Sequence, residues 1–394
     1  MSTTSPDLRK LRADHNGSLV SPQYLKDAFQ HYAEGSISLG ELREAQDRAI
    51  VHALKKQEET GMPILSDGEF RRRNFQESFS AAVTGFDVPE GKEKSVERLE
   101  PNRPLSRTEQ DFQAAGPALL TRRPVKARLQ LARNVIADEY RFSAAHTNMP
   151  VKVALIGPDR ISQRFAWEQS KHIYADMDAF LADVVAIERK MIAELVDAGC
   201  RYIHMDAPGL TAYVDQVSLE RMRARGEDPA KNLERSIAAE NAVIAGFDGV
   251  TFALHICRGN PRGTDPVTGK VLPQWHREGH YDGIAEQLYT GLKHHRFMLE
   301  YDSERAGTFE SLRFIPKDRI AVLGLVTTKS AETESKDMLK RRIGEAARFL
   351  PLEQLALSPQ CGFGGVTSIQ LAEDEAWAKF ARIAETARDV WGSV

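Results

Sequence analysis

The sequence predicts an α/β protein: a (β/α)8 TIM barrel with an insertion after the second strand. Three observations lead there. Eight short apolar runs recur along 394 residues, most of them end in a polar or reactive residue, and helical patterns lie between most of them. Short runs of this kind suit a parallel sheet buried on both faces, and strands alternating with helices suit an α/β architecture. A doubly wound open sheet is the competing arrangement.

The first run, 11–14, is half polar and precedes His15-Asn16-Gly17-Ser18. The second, 63–65, precedes Ser66-Asp67-Gly68-Glu69. Runs at 151–156, 202–205 and 250–254 precede Gly157-Pro158, Asp206 and His255-Ile256-Cys257. Runs at 297–299, 320–326 and 355–357 precede Glu300, Thr327-Thr328-Lys329 and Ser358-Pro359-Gln360-Cys361. Helices are expected over 176–197, 232–245, 335–349 and 374–391. In the first of these Phe180, Val184, Ile187, Met191 and Leu195 recur at helical spacing, and Gly199 supplies a stop. The long interval of about 70–150 reads as the insertion, charged over 90–107 and then helical over 129–140. The chain is read as one domain, 1–394, with no internal repeat.

Composition narrows the function classes. Lys plus Arg total 53 and Asp plus Glu total 56, a net charge of -3. Such a balance offers no broad basic field for nucleic acid or an anionic membrane. The three cysteines, Cys200, Cys257 and Cys361, are too few for a disulfide framework and point to a reducing compartment. No apolar signal core and no membrane-length apolar run is present, so a soluble, cytoplasmic protein with small-molecule partners is expected. Oligomeric state stays open.

In a barrel, strand C-termini share one mouth, and active sites lie there. His15, Ser18, Asp67, Glu69, Asp206, His255, Cys257, Glu300 and Cys361 would line that opening. His255 and Cys257 are two apart on a strand and point to the same side. With Glu300 and Cys361 they offer nitrogen, sulfur and oxygen donors that suit zinc better than calcium or magnesium. Cys200 ends a helix and reads as a core residue. Two thiolates and a carboxylate would make zinc-bound water a poor acid, so hydrolysis is disfavoured. Holding an incoming thiol as thiolate fits better, and the chemistry becomes alkyl transfer to sulfur.

His255-x-Cys257, then Glu300, then Cys361 in SPQCGF resembles the catalytic domain of cobalamin-independent methionine synthase. Asp67-Gly68-Glu69-Phe70-Arg71 resembles that family's GE(F/P)xR segment, His204-Met205-Asp206-Ala207-Pro208 its I-D-E-P segment, and His15-Asn16-Gly17-Ser18 its I-G-S start. The resemblance spans nearly the whole chain. It implies a zinc site made of His255, Cys257, Glu300 and Cys361. It also implies that Ser18, Glu69 and Asp206 hold the amino-acid part of homocysteine, as carboxylates suit an ammonium group. Salt bridges from Arg71, Arg72 and Arg73 are the structural alternative for Glu69 and Asp206.

Departures from the family pattern concern the methyl donor. Ala207 replaces the second acid of I-D-E-P. Asp159 and Arg160 stand where the family has a Thr and a nearby Trp that stacks on folate, with Phe165 and Trp167 as a replacement aromatic platform. The segment 258–281 reads as a basic lid or a solvated loop. In it, Arg258, with Lys329, is a candidate anion ligand, and His280 or Tyr281 a candidate proton donor. Asp206 and His280 are the candidate catalytic residues. The expected function is zinc-dependent methyl transfer to a thiol, homocysteine giving methionine, from a methylfolate or other methyl donor. An epoxide:coenzyme M transferase-like alkyl transfer is the alternative, favoured by the extra arginines and disfavoured by Glu69 and Asp206.

Overall fold

Apolar runs become strands where they carry β-branched and other large apolar residues without interruption. In the computed structural model, which describes residues 7–72, 75–87, 122–260, 262–264, 271–275, 277–364 and 371–394, ten strands follow in chain order. They are β1 (Val83–Phe86), β2 (Val125–Leu131), β3 (Val153–Ile156), β4 (Tyr202–Asp206), β5 (Thr251–Ile256), β6 (Arg262–Thr264), β7 (Val271–Trp275), β8 (Arg296–Glu300), β9 (Ile320–Val326) and β10 (Leu355–Pro359). Six of them form one parallel sheet in the order β10-β9-β8-β5-β4-β3. The pairs β1-β2 and β6-β7 are separate antiparallel ribbons.

The first two expected strands form no extended ladder. Segment 11–14 meets β10 through one parallel bridge, Ala13 to Leu357, and segment 63–65 meets the residue before β3 through Leu65 to Val151. The two segments meet each other at Ser18 and Gly68. The sequence gives the reason: Asp14, Asn16, Gly17, Asp67 and Gly68 interrupt the apolar runs with residues that disfavour strands. What is established is an α/β fold around a parallel sheet, with a bridged segment on each edge.

Helices form where expected. Met177–Asp197 is capped by Asp176, whose side chain accepts from Ala179 N, and Lys336–Ala346 by Ser335 in the same way. Pro229–Ile244 and Glu373–Trp391 match the remaining two. The interval after the second segment differs from expectation at one end. Leu129 lies in β2, and the helix there is Val135–Ala144, started by the Asn134 cap. The charged stretch 90–107 lies outside the described residues. Among the described residues no helix is long and apolar enough to cross a membrane.

Strand alternation separates two layers. Ile203, Met205, Leu254 and Leu299 pack outward into the large core shared with the helices. Leu11, Ile64, Tyr202, Ala253, Met298, Val322 and Ala356 form a second cluster on the opposite face. Counting forward by two from Tyr202 gives His204 and Asp206; from Ala253 it gives His255 and Cys257; from Met298 it gives Glu300. The inner face thus carries apolar side chains at one end and titratable ones at the other.

Candidate active site

Register assembles the site. Asp206 is the cross-strand partner of His255, and Ile156 the partner of Asp206. His255 Nδ1 lies 2.9 Å from Asp206 Oδ1. His204 Nε2 lies 3.0 Å from that same oxygen, an ion-pair distance without hydrogen-bond alignment. The Cys257 and Cys361 sulfurs are 3.8 Å apart. His255, Cys257 and Cys361 present donor atoms within 4.8 Å of one another, as do His204, Asp206 and His255.

The donor set fits zinc. Two sulfurs about 2.3 Å from one tetrahedral ion stand about 3.8 Å apart, which is the separation found. Asp206 takes His255 Nδ1, and Nε2 is buried with no hydrogen-bond partner among the described residues. That is how a metal-ligating imidazole is held. The hydrogen bond from Cys361 depresses the Cys257 thiol well below its usual range, against burial, and the Cys361 thiol is pushed up in return. Burial opposes charge on His255, but the Cys257 sulfur and Asp206 outweigh it and raise its pKa well above the ordinary value. Burial likewise opposes the Asp206 carboxylate, and His204 followed by His255 reverses this.

Glu300 does not join the three grouped donors. Its Oε2 accepts the Arg258 N–H at 2.7 Å, and its Oε1 faces Lys329 Nζ at 3.1 Å and Arg305 NH1 at 3.4 Å. Against burial, Lys329, Arg305 and Arg258 hold this carboxyl down at about 2. Lys329 also pairs with Asp302 at 3.1 Å. Lys329 is therefore already engaged with carboxylates, not an open anion ligand. Arg258 is fully buried, donates Nε to Gly279 O at 2.7 Å, and lies over the Tyr281 ring at 4.2 Å. It is not part of a solvated lid.

Glu69, one of the expected substrate carboxylates, sits against Gly17, next to Ser18 in the chain. A Cβ on Gly17 would stand 3.0 Å from Glu69 Oε1, and one on Gly362 would collide with Ser18 Oγ at 1.9 Å. The Cys361-Gly362 segment is thus pressed onto Ser18, with the Phe363 N–H donating to Ser18 O at 2.9 Å. Glu69 has φ 59, in the left-handed region that a non-glycine residue enters at a cost of about 1–3 kcal/mol. Its Oε1 and Asp67 Oδ2 are buried without hydrogen-bond partners among the described residues. Burial raises the Glu69 pKa to about 8, with Asp206, Asp67 and Glu139 adding to it and Arg72 opposing. The bracing alternative fails for Arg72, whose guanidinium is bound to Glu139 at 2.7 and 2.9 Å. Arg71 pairs with Asp47, and Arg73 lies outside the described residues.

Other expected residues fall elsewhere. His280 is exposed and packs against Gly307, outside both donor groups. Tyr281 is buried, with its hydroxyl spent on Ile256 O at 2.5 Å and on the Glu300 N–H at 3.1 Å. His15 is bound to main chain, at Ile64 O (3.1 Å) and the Gly17 N–H (3.2 Å). Phe165 stacks on Phe180 at 3.7 Å in the core and offers no platform. Trp167 is half-buried under Lys171. Cys200 is a buried core thiol, as expected. Sequence reasoning missed His204 as a site residue. The signal was its place two before Asp206 on a strand.

The chain's similarities agree with this geometry. The family model for the cobalamin-independent synthase catalytic domain matches residues 17–261. The uncharacterized protein YxjH of Bacillus subtilis (strain 168) is 33% identical over 386 residues, covering 96% of this chain and 94% of that one. The methionine synthase of Pyrococcus abyssi (strain GE5 / Orsay) is 22% identical, covering 88% and 84%. A Listeria monocytogenes structure assigned as a vitamin-B12-independent methionine synthase superposes with a TM-score of 0.70 at 25% identity, covering 97% and 98%. A B12-independent methionine synthase from Shewanella sp. W3-18-1 shares the fold, with a TM-score of 0.67 at 19% identity, covering 96% and 98%. The chain belongs to the cobalamin-independent synthase catalytic-domain family, an enzyme family whose chemistry is methyl transfer of the methionine-synthase kind.

Proposed function

We propose that this protein is a zinc-dependent S-methyltransferase that methylates homocysteine to methionine. The observation that carries the reading is the grouping of His255, Cys257 and Cys361 around the unpartnered His255 Nε2. Zinc at these three residues would supply the positive charge that keeps an incoming thiol ionised at neutral pH. We further propose that the two bridged segments and six strands close as the (β/α)8 barrel, in one domain with the insertion over about 70–150.

The chain's own residues then do the following. Asp206 fixes the His255 tautomer and ring. Glu69 and Asp67, with oxygens that lack partners among the described residues, receive the substrate ammonium group. Ser18, under the Cys361-Gly362 turn, offers a hydroxyl to the substrate carboxylate. Glu300, ringed by Lys329, Arg305 and the Arg258 N–H, was the fourth donor expected from the sequence. We keep it as the proposed fourth ligand, with Lys329, Arg305 and the Arg258 N–H holding its carboxylate beside the two sulfurs. The methyl donor is a methylfolate or another methyl carrier. The coenzyme M alternative loses its support from Lys329, which is paired with Glu300 and Asp302.

The test is a thiol panel on cobalt-substituted protein. Homocysteine is expected to change the cobalt spectrum at lower concentration than cysteine, glutathione or 2-mercaptoethanesulfonate. Silence toward all four would sink the reading, and a preference for the sulfonate would replace it with the alternative.

A further inference from the structure

Three neutral polar side chains near the two sulfurs close into a ring. Asn260 Nδ2 donates to Thr328 Oγ1 at 3.0 Å, and Thr328 Oγ1 donates to Gln360 Oε1 at 2.9 Å. Gln360 Nε2 donates back to Asn260 Oδ1 at 2.6 Å. All three residues are buried. Each gives one hydrogen bond within the ring and takes one. Buried bonds arranged head to tail polarise one another, and deleting one member strands polar groups on the other two.

The ring joins connections that the sheet leaves apart. Asn260 follows β5, Thr328 follows β9 and Gln360 follows β10. In the sheet order β10-β9-β8-β5, the first and last strands are three positions apart. In a flat sheet that is about 14 Å. Yet Cys257, just beyond β5, and Cys361, just beyond β10, bring their sulfurs to 3.8 Å. Among the described residues no main-chain hydrogen bond joins 257–260 to 358–361. Main chain ties only one edge of the ring, where the Gln360 N–H donates to Val326 O at 2.8 Å. The Asn260 amide makes the direct reach from the β5 connection to the other two.

Each member also adjoins a group of the site. Gln360 precedes Cys361 in the chain, and Asn260 lies three residues after Cys257. Thr328 precedes Lys329, whose Nζ is 3.1 Å from Glu300 Oε1. Glu300 ends β8, the strand that the reach from Asn260 to Thr328 crosses. We propose that Asn260, Thr328 and Gln360 are positioning residues that hold the Cys257 and Cys361 sulfurs at ion-sharing distance before any metal arrives. Neutral amides and a hydroxyl can set this spacing without changing the charge of the donor set. The effect on metal affinity rests on the zinc reading; the spacing of the sulfurs does not.

Cobalt binding to the full-length protein is measured by chelator competition, at a temperature where the metal-free protein is folded. Thr328→Val should weaken cobalt by about 10–100-fold, the usual cost of losing a group that orients ligands. It should also dim the thiolate-to-cobalt charge-transfer band. Thr328→Ser, which keeps the hydroxyl, should restore both. A role in stability alone would lower Tm and leave the affinity of the folded protein unmoved. Wild-type affinity in Thr328→Val, or an equal loss in Thr328→Ser, overturns the assignment. Phenylarsine oxide reads the spacing without metal, because it forms one As–S bond to each of two close thiols and releases water. Thr328→Val should weaken this capture about tenfold, and undiminished capture overturns the assignment. Where Thr328→Val does not fold, Gln360→Met is read in the same way. If neither variant folds, the ring braces the whole fold and the positioning role is overturned. A wild type that binds no cobalt but captures the arsenical, with weaker capture in Thr328→Val, means that the zinc reading has failed and the ring stands. A wild type that captures neither overturns both.

Discussion

The two ends of the parallel sheet bury charge in opposite ways. At the end where the strands begin, Asp14, Lys152, Arg296 and Tyr202 are all essentially inaccessible. Asp14 Oδ1 meets Lys152 Nζ at 2.7 Å, and Oδ2 meets Arg296 NH2 at 3.2 Å and the Tyr202 hydroxyl. Arg296 also caps the Arg9 and Leu11 carbonyls at 2.6 and 2.9 Å. Every partner comes from a different part of the chain. At the end where the strands finish, His255 Nε2, Glu69 Oε1 and Asp67 Oδ2 are also buried but lack hydrogen-bond partners among the described residues. Burial with unequal saturation separates bracing from binding: the Asp14 cluster needs nothing from outside, and the groups at the strand ends do.

The largest expected effect breaks the saturated end. Lys152→Met leaves Asp14 with Arg296 and Tyr202 but removes its shortest cationic contact. Breaking a buried pair costs about 3–5 kcal/mol. Urea unfolding of the metal-free protein should show that loss with an unchanged slope. A loss below about 1 kcal/mol would mean that this end braces nothing.

At the unsaturated end, stability and binding should come apart. Cys361→Ser should weaken cobalt or zinc by more than about a hundredfold in chelator competition, because a thiolate ligand is lost. Metal-free stability should move by less than about 1 kcal/mol, since Cys361 is half-buried and braces no charge network. Retained affinity would remove Cys361 from the ligand set. Asp206→Asn should act more mildly. Loss of the carboxylate that orients a ligating imidazole typically costs 10–100-fold in metal affinity. The same titration reads it, and an unchanged affinity would free Asp206 from that role.

This contrast also explains what the sequence disclosed. Strands β3, β4, β5, β8, β9 and β10 were legible because their apolar runs are uninterrupted. The edge segments were overread because the polar residues that make the site also break the ladder. His255, Cys257 and Cys361 were legible because strand period and strand ends fix where side chains point. Glu300 was placed correctly on its strand, but its partners Lys329 and Arg305 come from separate connections that no spacing rule ties to it. His280 and Phe165 were judged by residue type alone. Type does not reveal that one faces solvent and the other stacks in the core.

The smallest effect is the one that distinguishes binding from bracing at a single residue. Glu69 has a folded pKa near 8 against an ordinary value of 4.5. A raised carboxyl pKa means that the folded state holds its proton more tightly than the unfolded state. The resulting stability is fully present below about pH 4.5 and is lost as pH rises through about 8. Glu69→Gln should therefore match the wild type near pH 4.5 and exceed it by roughly 1–2 kcal/mol near pH 8.5, after allowing for relaxation of the site. A bracing carboxylate would give the reverse sign. The same variant should weaken homocysteine about tenfold yet leave 4-mercaptobutyrate, which has no amine, unchanged, since only an ammonium group needs the ionised carboxylate. Equal weakening of both thiols would show that Glu69 shapes the pocket without reading the amine.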